Sequence, residues 1–109
     1  FYHDSTLLTP AQVLHTATRA GALSQGRTDC GKLAVGYKAD LCVIDTDTPQ
    51  FTPMTDAACN VVYAAQGADV RLTMVDGEVL YRDGEFKTID IEKVKVETQK
   101  RTDAILRRL

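Results

Sequence analysis

The first strong pattern of apolar and polar positions begins at Thr9 and predicts a helix. Thr9 can cap the free N–H groups of a helix start, Pro10 suits the first helical position, and Gln12 completes a capping box. The apolar and small residues that follow share one helical face, and they are Val13, Leu14, Ala17, Ala20 and Gly21. We therefore predict that this helix packs closely on another element and ends between Leu23 and Gly26.

Glycine punctuates the middle of the chain every five residues, at Gly21, Gly26, Gly31 and Gly36. Short elements and turns fit between these glycines, so residues 32–34 are predicted to form a short strand and residues 35–38 a turn. Residues 39–45 are predicted to form a further strand. Both faces of that strand are largely apolar, which predicts that it is buried on both sides.

The second half of the chain is predicted to hold a loop, one short helix and a meander of strands. Residues 46–53 contain two prolines, which exclude regular structure and indicate a loop. Thr55 or Asp56 can then cap a short helix that ends near Tyr63. In residues 69–75 apolar and polar positions alternate, which is typical of a strand with one buried face.

Two aspartate–glycine pairs predict two tight turns in this meander. Asp76-Gly77 is a strong two-residue hairpin signal, and residues 78–82 would form the return strand. Asp83-Gly84 predicts a second turn, which leads into a short strand at residues 85–87.

The last predicted element is a helix over residues 90–108. Charged residues complement the helix dipole at both ends, and they are Asp90, Glu92, Arg107 and Arg108. The apolar stripe of this helix is thin and consists of Ile91, Val94, Thr98, Arg101, Ile105 and Leu109. We find no internal sequence repeat.

Composition places the chain among ordinary globular proteins. Its 109 residues correspond to one domain or part of one, and 44% apolar with 26% charged residues excludes a disordered tail. The net charge of −2 gives no basic field for a nucleic acid, and the longest apolar run, residues 61–65, is too short to span a membrane. The chain starts at Phe1 without an initiator Met or a signal-peptide pattern, so we expect it to be cut from a longer protein.

Candidate metal ligands are few and scattered. The cysteines Cys30, Cys42 and Cys59 are odd in number, and their spacing fits neither a disulfide framework nor a zinc ribbon, so we expect reduced thiols in a cytoplasmic protein. His3 and His15 are the only histidines, and no carboxylate lies at a useful helical offset from either. A metal site built from this chain alone is therefore not expected.

Candidate nucleophiles and phosphate-binding motifs are equally weak. Residues 26–32 match G-x4-G-K, the start of a phosphate-binding loop, but Leu33 follows where a Ser or Thr would hold Mg²⁺. The loop also follows a helix, whereas a phosphate-binding loop opens one. Ser5 and Ser24 lack a nucleophile elbow, and Asp40 is typical of a residue at the entry of a strand. We therefore assign no catalytic, cofactor-binding or metal-binding residue in this chain.

Three segments, in order, resemble the C-terminal end of metal-dependent amidohydrolases. Residues 8–22 resemble the late barrel helix of that family, which often reads L-T-x-x-Q-x-L…A-T-x-x-G-A. Residues 31–45 resemble its G-x-L-x-x-G-x-x-A-D-L-x-x-x-D motif. Residues 60–77 are similar to the N-L-V-Y…D-V…V-x-G ending of the cytosine deaminase-like branch, which includes S-adenosylhomocysteine/methylthioadenosine deaminases, guanine deaminases and triazine chlorohydrolases.

The resemblance implies an α+β fragment of a larger α/β protein. In such enzymes a (β/α)₈ barrel carries the metal, and a composite β-sandwich is built from segments before and after the barrel. Residues 1–26 would be the end of the barrel domain, and residues 27–87 the C-terminal part of the sandwich, whose central strand starts at Ala39-Asp40. Residues 88–109 would be a terminal helix packed back on the body.

The resemblance also implies the chemistry of the parent protein. A divalent metal, zinc or iron, would activate water for attack on a ring or amide-like carbon of a nucleobase-like substrate, and ammonia or, in some members, chloride would leave. The metal ligands and the acid–base residues of the family would all precede Phe1. This chain would therefore be structural, without a cofactor of its own, and its partner would be the remainder of the parent chain.

Two alternatives stay open: a stand-alone structural or interaction module, and an amidohydrolase relative whose barrel has lost its metal ligands. The sheet of a fragment would have open edges, and open edges invite pairing with another copy, so we expect self-association. No nucleic-acid or membrane partner is expected.

Overall fold

The computed structural model describes residues 7–108, and one continuous helical segment opens the fold. The segment consists of helix α1 (Pro10–His15), a π-helical turn (Thr16–Ala20) and helix α2 (Gly21–Ser24). The Thr9 hydroxyl accepts a hydrogen bond from the Gln12 N–H at 3.3 Å, and the Gln12 side-chain oxygen accepts one from the Thr9 N–H at 2.8 Å. The predicted helix, its capping box and its end are thereby confirmed.

The π-helical turn is a departure from the regular helix that the sequence predicts. Two threonine hydroxyls donate to backbone oxygens four residues earlier, Thr16 to Gln12 at 2.9 Å and Thr18 to Leu14 at 2.7 Å. Such back-bonding by threonine bends a helix because it competes for the backbone carbonyl. The first part of the segment, α1, contacts the helix α3 (Ala57–Tyr63).

An antiparallel four-stranded sheet forms the second part of the fold. Its strands lie in the order β1 (Leu41–Ile44), β2 (Val70–Val75), β3 (Glu78–Arg82) and β4 (Glu85–Phe86). Between β1 and β2 the chain makes a short helical turn, helix α3 and a second short helical turn. Asp56 caps α3, since its carboxylate accepts from the Cys59 N–H at 2.7 Å, as one of the two predicted caps.

Both predicted hairpin turns are present. The first has φ of 51° at Asp76 and 82° at Gly77, and the second has φ of 46° at Asp83 and 91° at Gly84. Positive φ at both central residues defines the two-residue turn that matches the twist of antiparallel strands. Aspartate tolerates this conformation and glycine adopts it freely, so these two pairs set the register of β2, β3 and β4.

Two predictions about the strands are wrong. Residues 32–34 do not form a strand, and the Leu33 side chain is 80% exposed. Strand β1 is not buried on both sides, because Val43 is 48% exposed. Within residues 7–108 it lies at the edge of the sheet, with β2 as its only partner there; its predicted central place in a composite sandwich stays a prediction. In both places the apolar pattern is real, but no second layer among residues 7–108 covers it.

The terminal helix α4 (Ile91–Leu106) forms as predicted, with Asp90 as its cap. The prediction that it packs back on the body of a longer protein stays a prediction, because most of that body lies outside this chain. Val94 is 47% exposed and Ile105 is 62% exposed, so the apolar stripe has little to pack against. The narrow apolar stripe of α4 predicts that a helix forms, but it does not identify the element on which the helix packs.

Few side chains are buried in this chain. Phe51 is 1% exposed, Cys30 3% and Asp69 5%, and all other described residues are more exposed than these three. The radius of gyration is 18.5 Å, whereas a compact domain of this length has about 13 Å. Residues 7–108 therefore make a sheet and helices joined around a small apolar centre, and do not close a core of their own.

Candidate functional site

Asp40 occupies the centre of a polar cluster that joins the loop after the first helix to the β2–β3 turn. Its Oδ1 atom accepts from the Asp76 N–H at 2.8 Å, and its Oδ2 atom accepts from the Arg27 guanidinium at 2.8 Å. The hydrogen bond from the Asp76 backbone, supported by Arg27, lowers the pKa of Asp40. This carboxylate is engaged in joining the loop after the first helix to the β2–β3 turn, so its role is structural, as the sequence indicates.

A second carboxylate secures the other end of β1. Arg71 donates to the Oδ2 atom of Asp45 from Nη2 at 2.7 Å and from Nε at 3.0 Å, and the Asp47 N–H donates to Oδ1 at 2.9 Å. The Arg71 hydrogen bond is the main reason that the pKa of Asp45 is lowered. Both carboxylates are thus held in their charged form by donors, which does not suit a general acid.

Asp69 is a buried carboxylate, and the sequence analysis did not predict its burial or its hydrogen bonds. Its carboxylate accepts from the Gln50 side chain at 2.6 Å and from the Gln66 N–H at 2.7 Å, while its backbone oxygen accepts from the Asp45 N–H at 2.8 Å. These bonds join the start of β2 to the end of β1 and to the loop beyond it. The only sequence signal for this residue is its place in the third segment of the resemblance.

Asn60 and Gly31 both contact the backbone of neighbouring elements, so their roles are structural. The Asn60 amide donates to the backbone oxygens of Phe51 at 3.1 Å and Pro53 at 3.2 Å. A Cβ atom at Gly31 would lie 2.9 Å from backbone atoms of Thr18 and Arg19. The residues that carry the resemblance are therefore those that shape the backbone and its turns.

The engaged carboxylates predict an acid-sensitive fold. Asp40, Asp45 and Asp56 all have a lowered pKa, so each contributes stability above its unfolded-state pKa and loses that contribution as the pH falls through its folded-state pKa. We expect stability to fall below about pH 4. Urea unfolding at stepped pH should show a shallower acid dependence for Asp45→Asn than for the wild type.

The control for this prediction is Asp47→Asn, because the Asp47 side chain makes no hydrogen bond in the described part of the chain. Its acid dependence should match that of the wild type. An Asp45→Asn profile that coincides with the wild-type profile would contradict the prediction.

The other candidates from the sequence do not come together as a reactive centre. His15 lies exposed on α1, whereas His3 and Ser5 lie outside the described residues. The Ser24 hydroxyl donates to the Gly21 oxygen at 2.7 Å. Residues 26–32 follow α2 and lead into irregular chain, so they lack the strand–loop–helix setting of a phosphate-binding loop.

The three cysteines are free, and their settings differ. Cys30 is buried, Cys42 exposed and Cys59 half-buried. A hydrogen bond with Asp56 raises the pKa of the Cys59 thiol, which keeps it protonated and a poor nucleophile. Within residues 7–108, no three His, Cys, Asp or Glu side chains form a group that could hold a metal ion. The described part of the chain therefore does not supply the site of the metal that the resemblance implies.

Two further observations concern the surface. No helix among residues 7–108 is long and apolar enough to cross a bilayer. An open concavity of about 750 Å³ lies between the first helical segment and the loop after it, and Arg19, Arg27 and Lys32 contribute to its lining. Sequence reasoning missed this basic concavity, because the three cations are brought together only by the turn of the loop.

Comparison with known proteins shows a close relative over almost the whole chain. The 5-methylthioadenosine/S-adenosylhomocysteine deaminase of Desulfitobacterium hafniense (strain DSM 10664 / DCB-2) is 44% identical over 101 residues, which are 93% of this chain and 23% of that protein. The chain thus spans about a quarter of the length of its relative. This sequence identity confirms the resemblance to metal-dependent amidohydrolases that the motifs indicate.

Two solved structures share the fold described above. A zinc-bound adenosine deaminase from Xanthomonas campestris superposes with a TM-score of 0.91 at 27% identity, over 97% of this chain and 24% of that one. The zinc complex of atrazine chlorohydrolase from Arthrobacter aurescens TC1 gives 0.79 at 27% identity, over 85% of this chain and 20% of that one. The predicted class, an α+β fragment matching the C-terminal part of such proteins, is confirmed.

The family assignment rests on a match between the chain and a family sequence model. A sequence model described as the amidohydrolase family matches residues 1–81, which include the first helical segment, β1, α3, β2 and most of β3. The match ends before α4. With about three quarters of its length matched, the chain belongs to the amidohydrolase family.

Proposed function

We propose that this chain is the C-terminal structural segment of a hydrolytic deaminase that acts on adenosine-like nucleosides. The support for the substrate class is the 44% identity to a 5-methylthioadenosine/S-adenosylhomocysteine deaminase. The observation that carries the structural role is the use of Asp40, Asp45 and Asp69, whose carboxylates are all occupied by donors within the fold. The catalytic groups then belong to residues outside this chain.

The reaction of the longer protein would replace the exocyclic amino group of the purine by the oxygen of water. Water adds to the ring carbon that bears the amino group, the carbon–nitrogen bond breaks, and ammonia leaves with the proton it needs, also from water. A divalent metal would activate that water, and we propose zinc, since the adenosine deaminase and the chlorohydrolase that this chain resembles hold zinc. The ligands would lie outside residues 7–108, and we place the protein in the cytoplasm.

The partner of this chain would be the remainder of the same protein. Leu33 is 80% exposed, Val35 is fully exposed, and the apolar stripe of α4 is largely open. Large exposed apolar side chains in neighbouring positions mark surfaces that are covered by another element. Burial of β1 on both sides and packing of α4, which residues 7–108 do not achieve alone, would then be completed by that element. The domain limits at residues 26 and 87 remain a prediction.

The test is an activity comparison between the longer protein and the 109-residue chain. We expect the longer protein, loaded with zinc, to release one ammonia for each molecule of 5′-methylthioadenosine, S-adenosylhomocysteine or adenosine converted, with the change in ultraviolet absorbance of the purine. The chain alone should release none and should bind no stoichiometric zinc. Full activity of the 109-residue chain would overturn the structural role.

Two other outcomes would replace the proposal by a different function. Chloride release from a chlorinated triazine, without deamination of any adenosine, would identify a chlorohydrolase. We favour the deaminase because the adenosine deaminase superposes at 0.91 over 97% of the chain, against 0.79 over 85% for the chlorohydrolase. A zinc-loaded longer protein inactive on both substrate classes would identify a non-catalytic relative.

A further inference from the structure

The two aspartate–glycine turns of this chain are nearly the same in sequence and in backbone shape. Residues 76–78 and residues 83–85 both read Asp-Gly-Glu, and both turns are exposed. Their aspartates have φ of 51° and 46°, and no atom lies within 4 Å of the place that a Cβ would take on either glycine. Since the local features are shared, a difference in the chemistry of the two turns must come from the contacts that the fold gives to each.

The reaction open to an aspartate–glycine pair is isomerisation through a cyclic imide. The glycine nitrogen attacks the aspartate Cγ atom, and the carboxyl OH leaves with the N–H proton as water. Glycine favours this attack because it has no side chain to obstruct it. Water then opens the ring. Breaking the bond from nitrogen to Cγ restores aspartate, whereas breaking the bond from nitrogen to the main-chain carbonyl carbon leaves isoaspartate, whose backbone runs through Cβ and Cγ. One water leaves and one enters, so the mass is unchanged.

The fold engages the reacting groups of the first turn. The Gly77 N–H donates to the Ala39 oxygen at 3.2 Å, and the Asp76 carboxylate pairs with the Lys38 ammonium group at 3.4 Å. The Asp76 N–H donates to the Asp40 carboxylate at 2.8 Å. A nitrogen whose proton is donated in a hydrogen bond is a poorer nucleophile, because the attack requires that bond to break. The aspartate side chain must also leave its cation before it reaches the nitrogen.

The same groups of the second turn are not engaged. Neither the Gly84 N–H nor the Asp83 carboxylate makes a hydrogen bond or an ion pair within residues 7–108. The Asp83 N–H donates to the Arg71 oxygen, but the Arg71 guanidinium is occupied by Asp45. Strand β4, which follows the turn, has two residues and pairs with β3 alone among the described strands. An element with so few partners opens readily, which gives the side chain freedom to approach the nitrogen.

We propose that Asp83 is the site at which the folded protein isomerises to isoaspartate, and that the fold protects Asp76 from the same reaction. The product adds one carbon to the backbone of a two-residue turn. The pairing of Arg82 with Glu85 and the contact of the Tyr81 and Phe86 rings, whose centres are 5.1 Å apart, depend on that turn. Isoaspartate at this position would therefore release β4 from the sheet. The proposal is independent of the deaminase function, because it uses neither the metal nor the substrate.

The test is to age the protein that carries this chain for several weeks at neutral pH and physiological temperature. Cleavage after glutamate places the two turns in separate peptides, which end at Glu78 and Glu85. The isoaspartyl form of each peptide has the same mass as the aspartyl form but a different retention time, and protein L-isoaspartyl methyltransferase adds a methyl group to it. We expect at least about fivefold more isoaspartate at Asp83 than at Asp76.

Protein aged in urea is the matched control, because unfolding removes the contacts of both turns. The two aspartates should then isomerise at rates within about twofold of each other, as their local sequences are alike. Asp83→Glu should remove most of the isoaspartate of the folded protein, since a longer side chain must form a larger ring, and Asp76→Glu should retain it. Equal amounts at the two turns of the folded wild type, or none at Asp83, would overturn the proposal without recourse to any variant.

Discussion

Phe51→Ala is expected to lower the free energy of unfolding by about 3–5 kcal/mol. Phe51 is 1% exposed and has the largest fully buried side chain among the described residues. Its backbone oxygen also accepts from the Asn60 amide, so the ring is held at the junction of the loop and α3. With so few buried side chains, the cavity left by the ring has little surrounding structure that can collapse into it.

The measurement is urea unfolding followed by circular dichroism, with the free energy extrapolated to water. Tyr63→Ala is the control, because the Tyr63 side chain is 74% exposed and its loss should change stability by no more than about 0.5 kcal/mol. If both variants lost the same amount, Phe51 would not be the centre of the fold.

Gly31→Ala is expected to lower the free energy of unfolding by about 2–4 kcal/mol. Gly31 has a φ of +81°, which costs an L-residue about 1–2 kcal/mol. The added Cβ would also lie 2.9 Å from the Thr18 oxygen, the Arg19 Cα and the Ala22 Cβ. Two of these three atoms belong to the backbone, so the helix or the loop must move as a whole.

Gly36→Ala separates the two contributions. Gly36 has nearly the same φ, +83°, but no atom lies within 4 Å of the position of its Cβ. Its substitution should therefore cost only the conformational part, about 1–2 kcal/mol. The difference between the two variants, measured by the same unfolding experiment, reports the close approach of the loop to the helix. Equal losses would show that this approach is loose in solution.

The sequence was most informative where structure is decided by neighbouring residues. The Thr9 cap and both aspartate–glycine turns depend on hydrogen bonds or backbone angles within four residues, and they were predicted correctly. The Asp56 cap is equally local and was one of two predicted alternatives. The α+β class and the family followed from motifs whose glycines and aspartates shape turns. Because these features depend on residues close together in the chain, they can be predicted from a single sequence.

Predictions of burial failed where the covering element is distant in the sequence. The apolar pattern of β1 indicates two covered faces, but the pattern cannot say which element covers them, and residues 7–108 do not. The apolar residues of segment 32–34 and of α4 likewise do not identify the element that would cover them. The π-helical turn was missed because its threonines are compatible with a regular helix. Asp69 was overlooked as a buried group because its partners, Gln50 and Gln66, are unremarkable in the sequence.

The engagement of Asp40 and Asp69 in structural bonds bears on how mutations in this region are to be understood genetically. A change at either residue would remove function by reducing the amount of folded protein, and the molecules that do fold would work at a normal rate. Such alleles would be temperature-sensitive and would be relieved by extra chaperone or by growth in the cold. Intolerance to substitution is thus no guide to catalysis in this segment, and a mutational scan scored only by growth would mistake its turns for an active centre.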